Sequence, residues 1–339
     1  MLFRSFRFLF GSTTESKPET KPQTKEAFGR LDSNSTLHDR LLKYCRLRPG
    51  EIWEEPTMGH RVGVLDVIDI ESLYTIADGS KPSLFVNDPP YNVVVGNVNT
   101  KSLSKNELSD YIYFSKTWVE NCMAIMPENA HFYIWLGADV RDDFQPLPDF
   151  MIMMRGIQEL SPRNFITLRN QRGYGTQKNW MWVRQELLHY IRGNPSFSVV
   201  YTDIPKILRG YYKNINGKRT ENLDRGKSKN IRPGNVWVDV QQVFYRAKEN
   251  VPGCYAQKPL KAIERIIATS SNEGDTVLDC FAHSGTTLLA GERLGRRVLT
   301  FDIDPVFAEL TIRRLEHYRK TGRTGWQWHN PFPEMEGSV

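Results

Sequence analysis

The chain has 339 residues, 40% of them hydrophobic and 25% charged, which suits one large α/β domain with an inserted element or two small domains. Cys45, Cys122, Cys254 and Cys280 are scattered with no CxxC pair, and no apolar run approaches a membrane span. A disulfide framework, a zinc site and a membrane partner are therefore set aside, and the chain reads as intracellular and reduced. A net charge of +6 favours a polyanionic partner.

Met1 to Phe10 is rich in Arg and Phe, with no acid before Glu15. It admits an organelle-targeting segment or a short basic arm, and the plainer reading is a frayed extension. Residues 11–26 are polar, Pro-containing and repetitive, so disorder is predicted. Residues 1–35 together form an expected basic and polar tail.

A predicted strand, Leu84-Phe85-Val86, runs into Asp88-Pro89-Pro90-Tyr91. Each proline fixes its φ and lacks an N–H, so the backbone is stiff and its carbonyls stay available as acceptors. Asp88 adds an acceptor and Tyr91 a stacking face. The combination suits a flat ring bearing an exocyclic amine, because two acceptors draw the amine toward a nucleophilic geometry. The bland alternative is a Pro-rich turn in which Asp88 accepts local backbone N–H groups.

Ser104 to Met126 shows a broad apolar helical face through Leu108, Ile112, Trp118, Val119 and Cys122. His131 to Leu136 reads as a strand, and Ile166 to Leu168 as another. Asn179 to Ile191 mixes aromatics with Arg184 and Glu186, and core packing is the favoured role for Trp180 and Trp182. Residues 36–202 form the first half of the folded chain.

Composition then changes over 203–250. Eleven basic residues lie between Lys206 and Lys248, against Glu221, Asp224 and Asp239. Tyr211, Tyr212 and the turn signal Asn216-Gly217 are interleaved. Basic, turn-rich sequence with aromatics suits a nucleic-acid groove, and the alternative is a solvated excursion.

Residues 251–325 carry the second motif. Pro259 is placed for the first turn of a helix with a stripe of Leu260, Ile263, Ile266 and Ile267. Asp275 to Thr287, DTVLDCFAHSGTT, reads as a buried strand, a small-residue turn and a helix start. A second strand, Val298 to Phe301, delivers Asp302 and Asp304; Asp302 lies 23 residues beyond Asp279. An acid there is placed for the ribose hydroxyls of a nucleoside cofactor. Neither GxGxxG nor GxxxxGK[ST] occurs, which argues against nicotinamide and ATP phosphate loops. Residues 326–339 form an aromatic, Pro-containing tail.

Together these motifs resemble the amino-methyltransferases of restriction-modification type, in the beta group that places its catalytic motif before its cofactor motif. The family pattern DPPYN is met by Asp88 to Asn92, QKP by Gln257-Lys258-Pro259, and DPFxGSGTT by Asp279 to Thr287, over about residues 60–320. His283 stands where the family has glycine and Cys280 where it has proline.

The resemblance implies an AdoMet-dependent, Rossmann-like α/β sheet with circularly permuted motif order and an inserted target-recognition region. It implies methyl transfer from S-adenosylmethionine to adenine N6 in double-stranded DNA after base flipping. Asp88, Pro89, Pro90 and Tyr91 would be catalytic. Gln257, Lys258, Asp279, Phe281, His283, Ser284, Gly285, Thr286 and Asp302 would hold the cofactor. Arg209, Lys213, Lys218, Arg219, Arg225, Lys227, Lys229 and Arg232 would contact DNA. A homodimer, a cognate restriction endonuclease and a bacterial or phage cytoplasmic setting are further expectations of the resemblance. Alternatives are cytosine N4, an RNA or protein amine, and a DNA-binding module without catalysis. Cytosine C5 chemistry is disfavoured, since no Pro-Cys pair occurs.

Overall fold

Short β-branched runs and amphipathic stretches alternate along the chain, and the computed structural model turns that alternation into one layered sheet. It describes residues 28–31, 34–90, 105–137, 145–174, 178, 180–205, 212–221 and 228–337. In chain order the elements are α1 (Ser35–Leu42), β1 (Ile52–Glu54), β2 (Arg61–Val64), α2 (Ile70–Ala77), β3 (Leu84–Asn87), α3 (Lys105–Ile125), β4 (Ala130–Leu136), α4 (Pro146–Arg155), β5 (Ser161–Tyr174), β6 (Trp182–Arg192), β7 (Tyr212–Ile215), β8 (Lys218–Glu221), β9 (Val236–Trp237), α5 (Leu260–Ser270), β10 (Thr276–Asp279), α6 (Thr286–Arg293), β11 (Arg297–Asp302) and α7 (Pro305–Thr321).

Nine strands share a sheet in the order β1-β2-β11-β10-β3-β4-β6-β5-β9. The run from β2 to β4 is parallel, and β6 turns antiparallel to β4. Parallel strands covered on both faces should be apolar throughout, and all seven residues of β4 are buried. Phe85, Leu278 and Leu299 face a core built on α2, α3 and α4. Leu84, Val86, Val277 and Val298 face the opposite core, built on α5, α6 and α7. The two-residue side-chain period of a strand produces both cores from one sheet.

Caps fix the helix ends near the site. Asp304 Oδ1 accepts the Val306 N–H at 2.8 Å and Pro305 follows it, so α7 starts where Asp302 ends β11. Glu249 Oε2 accepts the Leu260 N–H at 2.7 Å and supplies the cap that Pro259 cannot.

Two boundaries differ from the sequence expectation. Leu31 is only 4% exposed and packs with Phe332 in a third cluster, so the folded part starts before residue 36 and includes the aromatic C-terminal tail. A short tail gains order once apolar side chains find a groove. The 203–250 block is likewise divided. Asn216 and Gly217, both at positive φ, form the predicted turn between β7 and β8, which make a separate sheet. Its last third is scaffold: β9 pairs with β5, Trp237 is buried, and Arg265 Nη2 binds Asp239 Oδ2 at 2.5 Å. The disorder expected of residues 11–26 concerns positions outside the described residues. Among the described residues, no helix is long and apolar enough to cross a membrane.

Candidate active site

Asp88, Asp279 and Asp302 stand at the C-terminal ends of the adjacent strands β3, β10 and β11. From β10 the chain passes through α6 to β11 on one side, and from β3 through α3 to β4 on the other. Those helices cover opposite faces, so the sheet opens between β10 and β3, where such sheets bind ligands. A narrow cleft lies there, lined in part by Asp88, Trp135, Lys258, Asp279, Phe281 and His283.

Lys258 Nζ donates to Asp88 Oδ2 at 2.7 Å. The lysine side chain is 8% exposed and that of Asp88 24%. The ammonium also lies over the Trp135 ring, 5.3 Å from its centroid. A pair this far from water orients the carboxylate more than it stabilises the fold. Asn87 Oδ1 accepts the Cys280 N–H at 3.0 Å and so joins the two motifs across the cleft floor.

Burial pushes the Asp279 carboxyl up to about 8, with Asp88 and Asp302 adding to the rise, while the Thr287 hydroxyl and the Phe281 N–H oppose it. Burial also raises Asp302, to about 7, although this side chain keeps a rim of solvent contact. Asp302 Oδ2 accepts the His283 N–H at 2.9 Å and Oδ1 the Asp304 N–H at 3.1 Å. Carboxylate oxygens have more lone-pair directions than two N–H groups fill, so hydroxyls can still be accepted.

Gly285 caps α6 at φ +70°, and a Cβ there would sit 2.9 Å from Thr311 Cα. His283 adopts φ +43°, a region where His is enriched among non-glycine residues. Its ring lies 5.0 Å from that of Phe307, so a side chain is accommodated at this position while its N–H serves Asp302. Under the turn lies Arg314, fully buried. It donates to the Ser284 carbonyl at 2.8 Å, the Thr286 hydroxyl at 2.9 Å, the Thr324 carbonyl at 2.8 Å and the Glu249 carbonyl at 3.1 Å.

The structure gathers Asp88, Pro89, Lys258, Asp279, Phe281, His283, Ser284, Gly285, Thr286 and Asp302 at one edge of the sheet. Pro90 is exposed, and Tyr91 lies outside the described residues. Gln257 departs from its expected role. Its Oε1 accepts the Val251 N–H and its Nε2 donates to the Glu249 carbonyl, so its amide holds the loop before α5. Of the basic positions, Lys218, Lys229 and Arg232 are exposed. Lys213 and Arg219 lie on β7 and β8, while Arg209, Arg225 and Lys227 are outside the described residues. Trp180 is not core: it is 89% exposed. Sequence reading missed Trp135, Asn87 and Arg314. Trp135 could have been found from its place at the end of a strand next to β3, whereas nothing near Arg314 marks it as buried.

The DNA methylase family, of N6/N4 type, matches residues 83–313. Type II methyltransferase M.HpaI of Haemophilus parainfluenzae is 27% identical over 235 residues, covering 69% of this chain and 68% of that protein. The DNA adenine methyltransferase YhdJ of Escherichia coli (strain K12) is 42% identical over 91 residues, 25% of this chain and 30% of the relative. Among solved structures, the PvuII DNA methyltransferase (cytosine-N4-specific) superposes with a TM-score of 0.52 at 15% identity, covering 74% of this chain and 84% of that one. That likeness speaks for the fold alone. The chain belongs to the DNA methylase family, and its methyl donor is S-adenosylmethionine.

Proposed function

We propose that this chain methylates the N6 amine of adenine in duplex DNA, after the base has left the stack. The observation that carries the proposal is Asp88, held by Lys258 at a cleft that Asp279 also lines, with Asp302 at the end of the next strand. Adenine is favoured over cytosine by the acid at position 88 and by the likeness to YhdJ. The family's cytosine-N4 branch more often has serine there.

The cofactor supplies an electrophilic methyl group on a sulfonium. Asp88 and the Pro89 carbonyl accept the hydrogens of the target amine and take up its positive charge as nitrogen bonds to carbon. Tyr91 stacks on the base, and Trp135 walls the cleft. Asp302 accepts the ribose hydroxyls, while Phe281, Ser284, Gly285 and Thr286 border the rest of the cofactor. Orientation is the main contribution of such a site, since the leaving group is already activated. Extruding a base costs a few kcal/mol.

The test is methyl incorporation by the purified chain into duplex DNA, RNA and protein side by side. Incorporation confined to RNA or protein would overturn the proposal.

Asp302→Ala should weaken S-adenosylmethionine roughly 10- to 150-fold, the equivalent of about 1.5–3 kcal/mol for hydrogen bonds to a charged group. Hydroxyl donors favour the ionised carboxylate, so binding lowers the Asp302 pKa from its raised value of about 7 and releases a proton. Affinity should therefore rise between pH 6 and 8 and level off above. Calorimetry in buffers of different ionisation enthalpy reads this directly, and flat affinity with no proton release would place the ribose elsewhere.

On the DNA side, Lys218, Lys229 and Arg232 are exposed and within the proposed recognition segment. Neutralising any one that touches phosphate should weaken all duplexes alike. It should also reduce the slope of log K against log salt by about 0.9. Unchanged slopes for all three would make this a solvated surface.

A further inference from the structure

The β5–β6 ribbon stands beside the cleft. Asn87 pairs with Ile134; one step on, Trp135 pairs with Leu187 and Leu187 with Ile166. Asp88 and Ile166 are thus level. From that level β5 runs on to Tyr174 on the cleft side, and β6 returns from Trp182, both passing the end of β4 at Leu136. β6 covers five residues between Trp182 and Leu187, so at about 3.3 Å per residue the ribbon overtops the cleft floor by roughly 15 Å.

Its chemistry is one-sided. Residues 161–185 contain Arg163, Arg169, Arg172, Lys178 and Arg184, and no acid. Arg169 and Lys178 are exposed, Met181 is 60% exposed and Trp180 89%. An indole this exposed at the end of a basic ribbon offers an aromatic surface to a partner. Positive charge with an exposed aromatic ring complements a phosphate-lined partner that offers stacked bases. A two-stranded ribbon also fits a DNA groove.

Resting on the DNA-methyltransferase reading, we infer that the β5–β6 ribbon is a second DNA-contact surface, separate from the 203–250 segment. Arg169 and Lys178 meet phosphates, and Trp180 enters the base stack where the target base has left. A base can reach Asp88 only from a duplex lying across this edge of the sheet, and the ribbon rises from that edge. An aromatic face there recovers stacking that extrusion removes.

The test uses the full chain with two duplexes of roughly 30 base pairs, about three helical turns, built on a sequence the wild-type protein methylates in genomic DNA. One is fully paired; the other places an abasic site opposite the target base, so that the base is already unpaired. Single-turnover transfer is measured at saturating S-adenosylmethionine for wild type, W180A and W180F. On the paired duplex W180A should lose about tenfold or more, and W180F less; on the abasic duplex W180A should return to within about threefold of wild type. R169Q/K178Q should lower the salt slope of binding to both duplexes by about 0.9 for each contact. The inference is overturned if W180A stays within twofold on the paired duplex, or loses equally on both. It is also overturned if the salt slope does not move. Wild-type protein that methylates no DNA sinks the functional reading as well, whereas active wild type with an indifferent W180A sinks the ribbon alone.

Discussion

Asp88→Ala should lower the rate of methyl transfer by about 10²–10³ at saturating substrates, the usual loss when one preorganised partner of developing charge is removed. The amine gains positive charge as it bonds to the methyl carbon, and Asp88 is the acidic side chain at the end of β3 beside Pro89. The same change strips Lys258 of its 2.7 Å partner. Its ammonium then remains mostly buried over Trp135, so some stability is lost as well. Asp88→Asn separates the two effects, because it keeps an acceptor and the shape while removing the charge. Cofactor affinity should change by only a few-fold in either variant, since Asp302 stands two strands away. Turnover of Asp88→Ala within tenfold of wild type would remove Asp88 from the chemistry.

The second large effect is on stability. Arg314→Met removes a guanidinium whose four hydrogen bonds hold three backbone carbonyls and the Thr286 hydroxyl. Burial, opposed by the nearby Glu249, pulls its pKa down to about 10, so it is still charged at neutral pH. Methionine fills part of the volume but takes that donor from the Ser284 and Thr324 carbonyls, while the Glu249 carbonyl keeps the Gln257 amide. Breaking such a buried network costs about 3–5 kcal/mol, a fall in Tm of roughly 5–15 °C. Ser284 and Thr286 lie in the turn proposed to border the cofactor, so S-adenosylmethionine should bind more weakly as well. Arg314→Lys keeps the charge without the planar fork and should fall between. A thermal melt within about 2 °C of wild type would show that the turn stands without the arginine.

The site was legible in the sequence wherever local chemistry fixes local structure. An acid after a short apolar strand is at a strand end by geometry, so Asp88, Asp279 and Asp302 could be placed from spacing alone. Asn216-Gly217 gave its turn for the same reason, since both residues tolerate positive φ. What the sequence did not carry was long-range pairing. Gln257 is expected at the cofactor only through the QKP pattern, and its amide bonds to a loop that folds back from residue 249. Trp180 reads as core because tryptophans in mixed apolar strands are usually buried. It is exposed because it precedes β6, which itself begins beyond the end of β4, a matter of register between those strands. Arg314 lies on α7 among the basic residues Arg313, Arg319 and Lys320, and the packing of residues 249, 284 and 324 around it makes it interior.

The central claim, amine methylation of adenine in DNA, is tested most directly by mass spectrometry of nucleosides. DNA from cells expressing the wild-type chain, and from cells expressing Asp88→Ala, is digested and its modified bases are quantified. N6-methyladenine is expected with the wild type, and its loss with Asp88→Ala. N4-methylcytosine in its place, or N6-methyladenine at equal levels with both chains, would contradict it.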